Sequence, residues 1–155
     1  MRLNGAVVEI RRTRTVAAEP QPIWDVLADF GALSAWADNV DHSCLLEHGA
    51  DGPQVGTSRR VQVGRNTLVE RITDVSPPRT LGYDIEGLPS RLKVGNRWTL
   101  TPTANGRSEV AVTTTVNLGA NPVAGLVERV LGRFLAKQSD AMLAGLAKRM
   151  EARNV

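Results

Sequence analysis

The stretch that most constrains the fold is Pro122 to Arg153. It carries the periodicity of one long helix that opens after Asn121, with Pro122 in the first turn, where a missing N–H costs nothing. At 100° per residue, Val123, Val127, Val130, Leu131, Phe134, Ala141 and Met142 fall on one stripe, and Arg129, Arg133, Lys137, Asp140 and Lys148 fall on the other side. About 32 residues at 1.5 Å each span roughly 48 Å. Such a helix draws its stability from tertiary packing, so its stripe must lie against something large. Gln138 and Gly145 sit at the stripe's centre, one an amide and the other without a side chain. They predict a helix that covers a cavity; the alternative is a Gln at the stripe's edge and a Gly tolerated by packing.

The chain before this helix supplies the opposing surface. Ala6 to Ala17 reads as a first strand, although Val8, Ile10 and Val16 share a parity with Arg12 and Arg14, a conflict that a bulge or a strand end would resolve. Pro20 and Pro22 open a short helix, Ile23 to Asp29, which Gly31 stops, and a second helical turn follows over Ala32 to Ala37. Six more strands are predicted. Val40 to His48 ends at the turn cluster Gly49 to Pro53. Thr57 to Val63 and Asn66 to Val75 form a hairpin at Gly64-Arg65. Thr80 to Glu86 follows Pro77-Pro78, and Arg91 to Thr101 follows the loop Gly87 to Ser90. Asn105-Gly106, the strongest hairpin signal, leads into Glu109 to Leu118. Short connections make these seven strands antiparallel, and a twisted sheet of that width curls around the last helix with room for a pocket between them. The fold class is α+β.

Composition narrows the function. The 155 residues are expected to form one domain over 1–155, long enough to bury a real core. No run of about 18 apolar residues exists, so no integral membrane segment is predicted. Met1 to Glu9 lacks a charged-then-apolar signal pattern. The single cysteine, Cys44, rules out an internal disulfide, and together these point to a cytoplasmic location. The net charge of +3 is spread along the chain apart from Arg11, Arg12 and Arg14, and no nucleic-acid recognition motif accompanies it. Neither GxGxxG, P-loop nor GxSxG is present. His42 and His48 stand without metal-ligand spacing, so neither metal nor cofactor is expected.

The ordered motifs resemble a known family. Val16-Ala17-Ala18, then Ile23 to Phe30 (IWDVLADF), Leu33, Trp36, Val55 to Arg59 (VGTSR), Glu70-Arg71-Ile72, Trp98 to Pro102 (WTLTP) and the long last helix are similar to the START-like, or helix-grip, superfamily in its polyketide cyclase/dehydratase branch. The resemblance covers nearly the whole chain. It implies a helix-grip fold with one cavity for an apolar molecule such as a lipid or polyketide; some members catalyse cyclisation or dehydration and many are only carriers. It also aligns Arg59 and Glu70 with positions where relatives carry an Arg and a Glu.

Strand parity nominates the cavity-facing groups independently. Tyr83 shares a face with Leu81 and Ile85; Asn96 with Leu92, Val94, Trp98 and Leu100; Arg59 with Val61 and Val63; Glu70 with Leu68 and Ile72; His42 with Val40, Cys44 and Leu46. Burying an unpaired charge is costly, so Arg59 and Glu70, on hairpin-linked strands, should pair, unless they sit at strand ends and reach solvent. The candidate ligand-binding set is therefore Arg59, Glu70, Tyr83, His42, Asn96, Trp98 and Gln138, with the loops at Gly64 to Asn66 and Gly87 to Ser90 at the entrance. No catalytic residue is assigned. Cys44 and His42, two apart on one strand, are too far separated to form a dependable thiol–imidazole couple. The favoured function is binding of an apolar or aromatic small molecule. A cyclase/dehydratase would need only a shaped cavity and a proton donor or acceptor, Glu70 or His42, with Arg59 or Tyr83 polarising an oxygen. A third reading is an interaction protein whose pocket has closed.

Overall fold

The computed structural model describes residues 6–47, 53–88, 92–119 and 124–153. The predicted helix start at Pro122, the strand end at His48, the turn residues 49–52, Pro89, Ser90 and the side chains of 123, 127, 130 and 131 lie outside that description.

The elements run β1 (Ala6–Val16), α1 (Pro20–Ala28), a 3-10 helix (Phe30–Ala35), β2 (His42–Glu47), β3 (Ser58–Val63), β4 (Asn66–Ser76), β5 (Thr80–Glu86), β6 (Lys93–Pro102), β7 (Ser108–Gly119) and α2 (Ala124–Arg153). All seven strands join one antiparallel sheet in the order β1-β7-β6-β5-β4-β3-β2, a meander closed by β1 beside β7. The fold is the α+β helix-grip arrangement, with α2 laid along the sheet and packed most heavily on β1. No helix among the described residues is long and apolar enough to cross a membrane.

Turn chemistry sets the register. Gly64 takes φ +59 at the first central position of the two-residue β3–β4 loop, where an L side chain would be strained. That tight loop places Arg59 directly opposite Glu70. Asn105 and Gly106 both adopt positive φ, as the hairpin signal requires, and the β6–β7 ladder runs from Pro102↔Ser108 without a slip.

The core gathers Ile23, Trp24, Leu27 and Phe30 from the first helices, Val61, Ile72, Leu81, Tyr83, Trp98, Leu100, Val110 and Val112 from the sheet, and Leu143, Leu146 and Met150 from α2. Four local expectations need correction. The parity conflict in β1 is resolved by neither a bulge nor a strand end: from Val7 to Val16 the register with β7 is continuous. Instead Arg12 reaches Asp140 on α2 through two hydrogen bonds, Nε to Oδ1 at 2.8 Å and Nη2 to Oδ2 at 2.9 Å, so a charged side chain on the inward face is answered by the helix. In β2 the inward face is Ser43 and Leu45, because these pair with Val61 and Arg59; His42 and Cys44 stand opposite Gln62 and Arg60 and are exposed. The strand begins two residues later than predicted, and the buried Val40 belongs to the preceding connection. Gly31 does not end α1, which stops at Ala28; it lies inside the 3-10 helix, where a Cβ would press on Leu45 Cγ at 2.8 Å. Gly145 is not a gap over the cavity either, because the backbone of Trp36 and Ala37 occupies the space of its absent side chain.

Candidate functional site

Between the sheet and the middle of α2 lies a cavity of about 470 Å³. Its floor is Val61 and Val63 (β3), Leu68 and Glu70 (β4), Ile85 (β5), Val94 and Asn96 (β6) and Thr114 (β7). Its roof is Leu135, Gln138, Ser139 and Met142 of α2, and one end is closed by Leu33, Asn39 and Val40. The exposed residues Arg65, Asn66, Thr67, Gly87 and Phe134 form the mouth, with Leu88 just inside. Phe134, expected within the buried stripe, is 55% exposed at this rim.

Arg59 and Glu70 form a buried ion pair, their side chains only 4% and 7% exposed. Arg59 donates from Nε at 2.8 Å and stands 2.7 Å away at Nη2, both to Glu70 Oε1. Its Nη1 donates to the Phe30 carbonyl at 2.8 Å. The guanidinium carbon lies 3.7 Å from the Phe30 ring centroid and 4.8 Å from that of Tyr83, so both ring faces shield it. Glu70 lines the cavity; Arg59 does not and stands behind it.

Tyr83 and Trp98 also lie behind the wall rather than on it. Trp98 Nε1 donates to Tyr83 Oη at 3.2 Å and Asn96 Nδ2 donates to the same oxygen at 3.4 Å, while Thr114 Oγ1 donates to Asn96 Oδ1 at 2.6 Å. Asn96 and Thr114 are thus the members of this network that meet the cavity, and the two rings stand behind Asn96. Gln138 lines the cavity as expected, accepting from Asn39 Nδ2 at 2.8 Å across the roof. His42 is on the outer face and takes no part. Of the seven residues, Glu70, Asn96 and Gln138 line the cavity, Arg59, Tyr83 and Trp98 stand behind its wall, and His42 is exposed and outside its lining.

Sequence reasoning missed Thr114, Ser139 and Asn39. Thr114 shares parity with Val110, Val112 and Val116 and could have been found by that rule. Ser139 follows Gln138 but lies about 100° round the helix from it, off the predicted stripe, so the periodicity gives no sign of it. Asn39 lies in an irregular connection, where no periodicity exists to reveal it.

Burial, followed by the negative charge of Glu70, pushes the Tyr83 hydroxyl above the ordinary tyrosine value. The folded state therefore holds its proton where the unfolded chain releases it. Its contribution to stability is complete below a pH of about 10 and is lost as the pH climbs through the raised value. Tyr83 is the sole tyrosine. Tyrosinate absorbance at 295 nm is expected to rise only together with the tryptophan-fluorescence change that reports unfolding. A reversible titration near pH 10 in the folded protein would contradict this burial.

The fold and the lined cavity define a helix-grip protein. The sequence matches the family described as polyketide cyclase / dehydrase and lipid transport over residues 7–151, and the chain belongs to that family. Among solved structures it is similar to the Zhui aromatase/cyclase of Streptomyces sp. R1128, with 20% identity, 97% of each chain covered and a TM-score of 0.79. A START superfamily protein of Mycobacterium smegmatis shows 19% identity over 93% of this chain and 97% of that one, with a TM-score of 0.72. A Thermobifida fusca protein solved by NMR shows 24% identity over 92% of each, with a TM-score of 0.75. No curated protein matches the sequence.

Proposed function

We propose that this protein binds an apolar small molecule, a lipid, an aromatic polyketide or a compound of similar character, between the sheet and the middle of α2. The observation that carries the reading is the cavity itself: about 470 Å³, walled chiefly by Val, Leu, Ile and Met with a few convergent polar groups. That volume is within the range of small-molecule sites, and the family description spans both ligand transport and cyclase chemistry. A closed-over interaction protein would have a filled core here. Binding is favoured over catalysis because the one carboxylate on the wall is held by Arg59 and because the imidazole of His42 is on the far side of the sheet.

The neutral fluorophore N-phenyl-1-naphthylamine tests this directly. Its emission is expected to rise on titration with the protein. Leu68→Trp, which fills the cavity from a half-buried floor position, is expected to weaken that binding at least 10-fold while leaving the melting temperature close to that of the parent. Absence of binding, or equal binding by the filled variant, would place the apolar site elsewhere or nowhere.

A further inference from the structure

Resting on the reading of this cavity as a binding site, the polar atoms on its wall restrict what can enter. Arg59 is the conspicuous cation of the region, yet none of its directions is open. Two nitrogens engage Glu70, the third donates to the Phe30 carbonyl, and aromatic rings cover the guanidinium. It cannot serve an incoming anion without breaking the buried pair. Glu70 offers the opposite. Both contacts from Arg59 go to Oε1, and Oε2 has no hydrogen-bond partner among the described residues although Glu70 lines the cavity. Two further wall groups are in the same state. Asn39 spends Nδ2 on Gln138, leaving a buried Oδ1 unpartnered. Ser139, 1% exposed, has no partner for its hydroxyl among the described residues. Asn39 Oδ1 is fully buried, and buried polar groups in folded proteins are nearly always satisfied, so it marks a place where something else supplies the bond; Glu70 Oε2 and the Ser139 hydroxyl belong to the same cavity wall. Glu70 Oε2 and Asn39 Oδ1 can only accept, and Ser139 can do either.

We propose that the inner cavity selects an uncharged ligand carrying two hydrogen-bond donors, read by Glu70 and by the Asn39–Ser139 side of the roof. A carboxylate driven inward would meet the Glu70 carboxylate with no free cation to offset its lost hydration. The cation that lines the mouth, Arg65, is exposed, so an acidic group is accommodated only at the outer end of the molecule.

Three probes on one skeleton separate the possibilities: naphthalene-2,7-diol, 2,7-dimethoxynaphthalene and 2-naphthoate, titrated against the full chain by calorimetry. The diol is expected to bind at least 10-fold more tightly than the dimethoxy compound, which can only accept, and at least 10-fold more tightly than the naphthoate. Ser139→Ala and Asn39→Leu are each expected to shrink the diol-to-dimethoxy ratio at least 3-fold. Neither change touches the Arg59–Glu70 pair, and circular dichroism verifies that both variants are folded. Dimethoxynaphthalene or naphthoate binding as tightly as the diol, or a ratio unmoved in both variants, would overturn the donor rule while leaving an apolar binding site in place. Failure of all three probes together with N-phenyl-1-naphthylamine would remove the binding site and the rule with it.

Discussion

Glu70→Gln is expected to destabilise the protein by about 3–5 kcal/mol, a large share of the roughly 5–15 kcal/mol available to an ordinary domain. The change keeps the shape of the side chain and removes its charge. It leaves Arg59, a residue 3% exposed, with a neutral amide oxygen, the Phe30 carbonyl and two aromatic faces but no counter-charge. These lessen the penalty without removing it, because a neutral carbonyl and ring quadrupoles are weaker counterparts than a carboxylate 2.7 Å away. The double change Arg59→Met with Glu70→Leu is expected to recover much of the loss, since apolar side chains of similar volume need no desolvation. Under the proposed function the same double variant binds ligand more weakly, having lost the Glu70 acceptor. Urea melts of the three proteins give the stability test. A Glu70→Gln loss below about 1 kcal/mol, the scale of an exposed pair, would mean that water reaches the guanidinium through the cavity.

Much of this pair was legible before any coordinates. A two-residue loop at Gly64-Arg65 fixes which residues face each other, and strand parity fixes which face they share, so Arg59 opposite Glu70 follows from counting. The same parity rule placed Tyr83, Asn96 and Trp98 inward. What parity could not give is depth: it cannot distinguish a residue that touches the cavity from one a layer behind, which is how Arg59, Tyr83 and Trp98 came to be nominated as ligand contacts. It failed outright in β2. There Val40 lies in the connection before the strand, so counting from it inverted the assignment of His42. Arg12 shows the converse problem, an inward charge whose partner, Asp140, is 128 residues away on α2 and leaves no local trace. The helical stripe was read well enough to find Gln138 on the roof. Its buried positions beyond Met142, namely Leu143, Leu146, Ala147 and Met150, were not, because α2 packs there with a face other than the predicted stripe.

The surroundings of α2 make two glycines of one helix behave in opposite ways. At Gly145 a Cβ would overlap the Trp36 carbonyl oxygen and lie 3.2 Å from the Trp36 carbonyl carbon and 3.5 Å from Ala37 Cα. These are backbone atoms of the segment that follows the 3-10 helix, so no rotamer change relieves the collision, and α2 must lift from Trp36. Overpacking of this kind costs about 3 kcal/mol at the upper end of its usual range, and alanine's better helix propensity returns about 1. Gly145→Ala is therefore expected to destabilise by about 2 kcal/mol. At Gly132, near the mouth, a Cβ would meet nothing within 4 Å among the described residues. Gly132→Ala is expected to stabilise by about 1 kcal/mol from propensity alone. Thermal melts of the two variants should therefore move in opposite directions, and a pair of shifts with the same sign would contradict this placement of α2. The contrast bears on function as well. The Gly145–Trp36 contact holds α2 against the segment after the 3-10 helix, one turn beyond Met142 on the cavity roof. Lifting α2 there changes the roof, so Gly145→Ala should also alter the affinity for N-phenyl-1-naphthylamine, although no atom at position 145 lines the site.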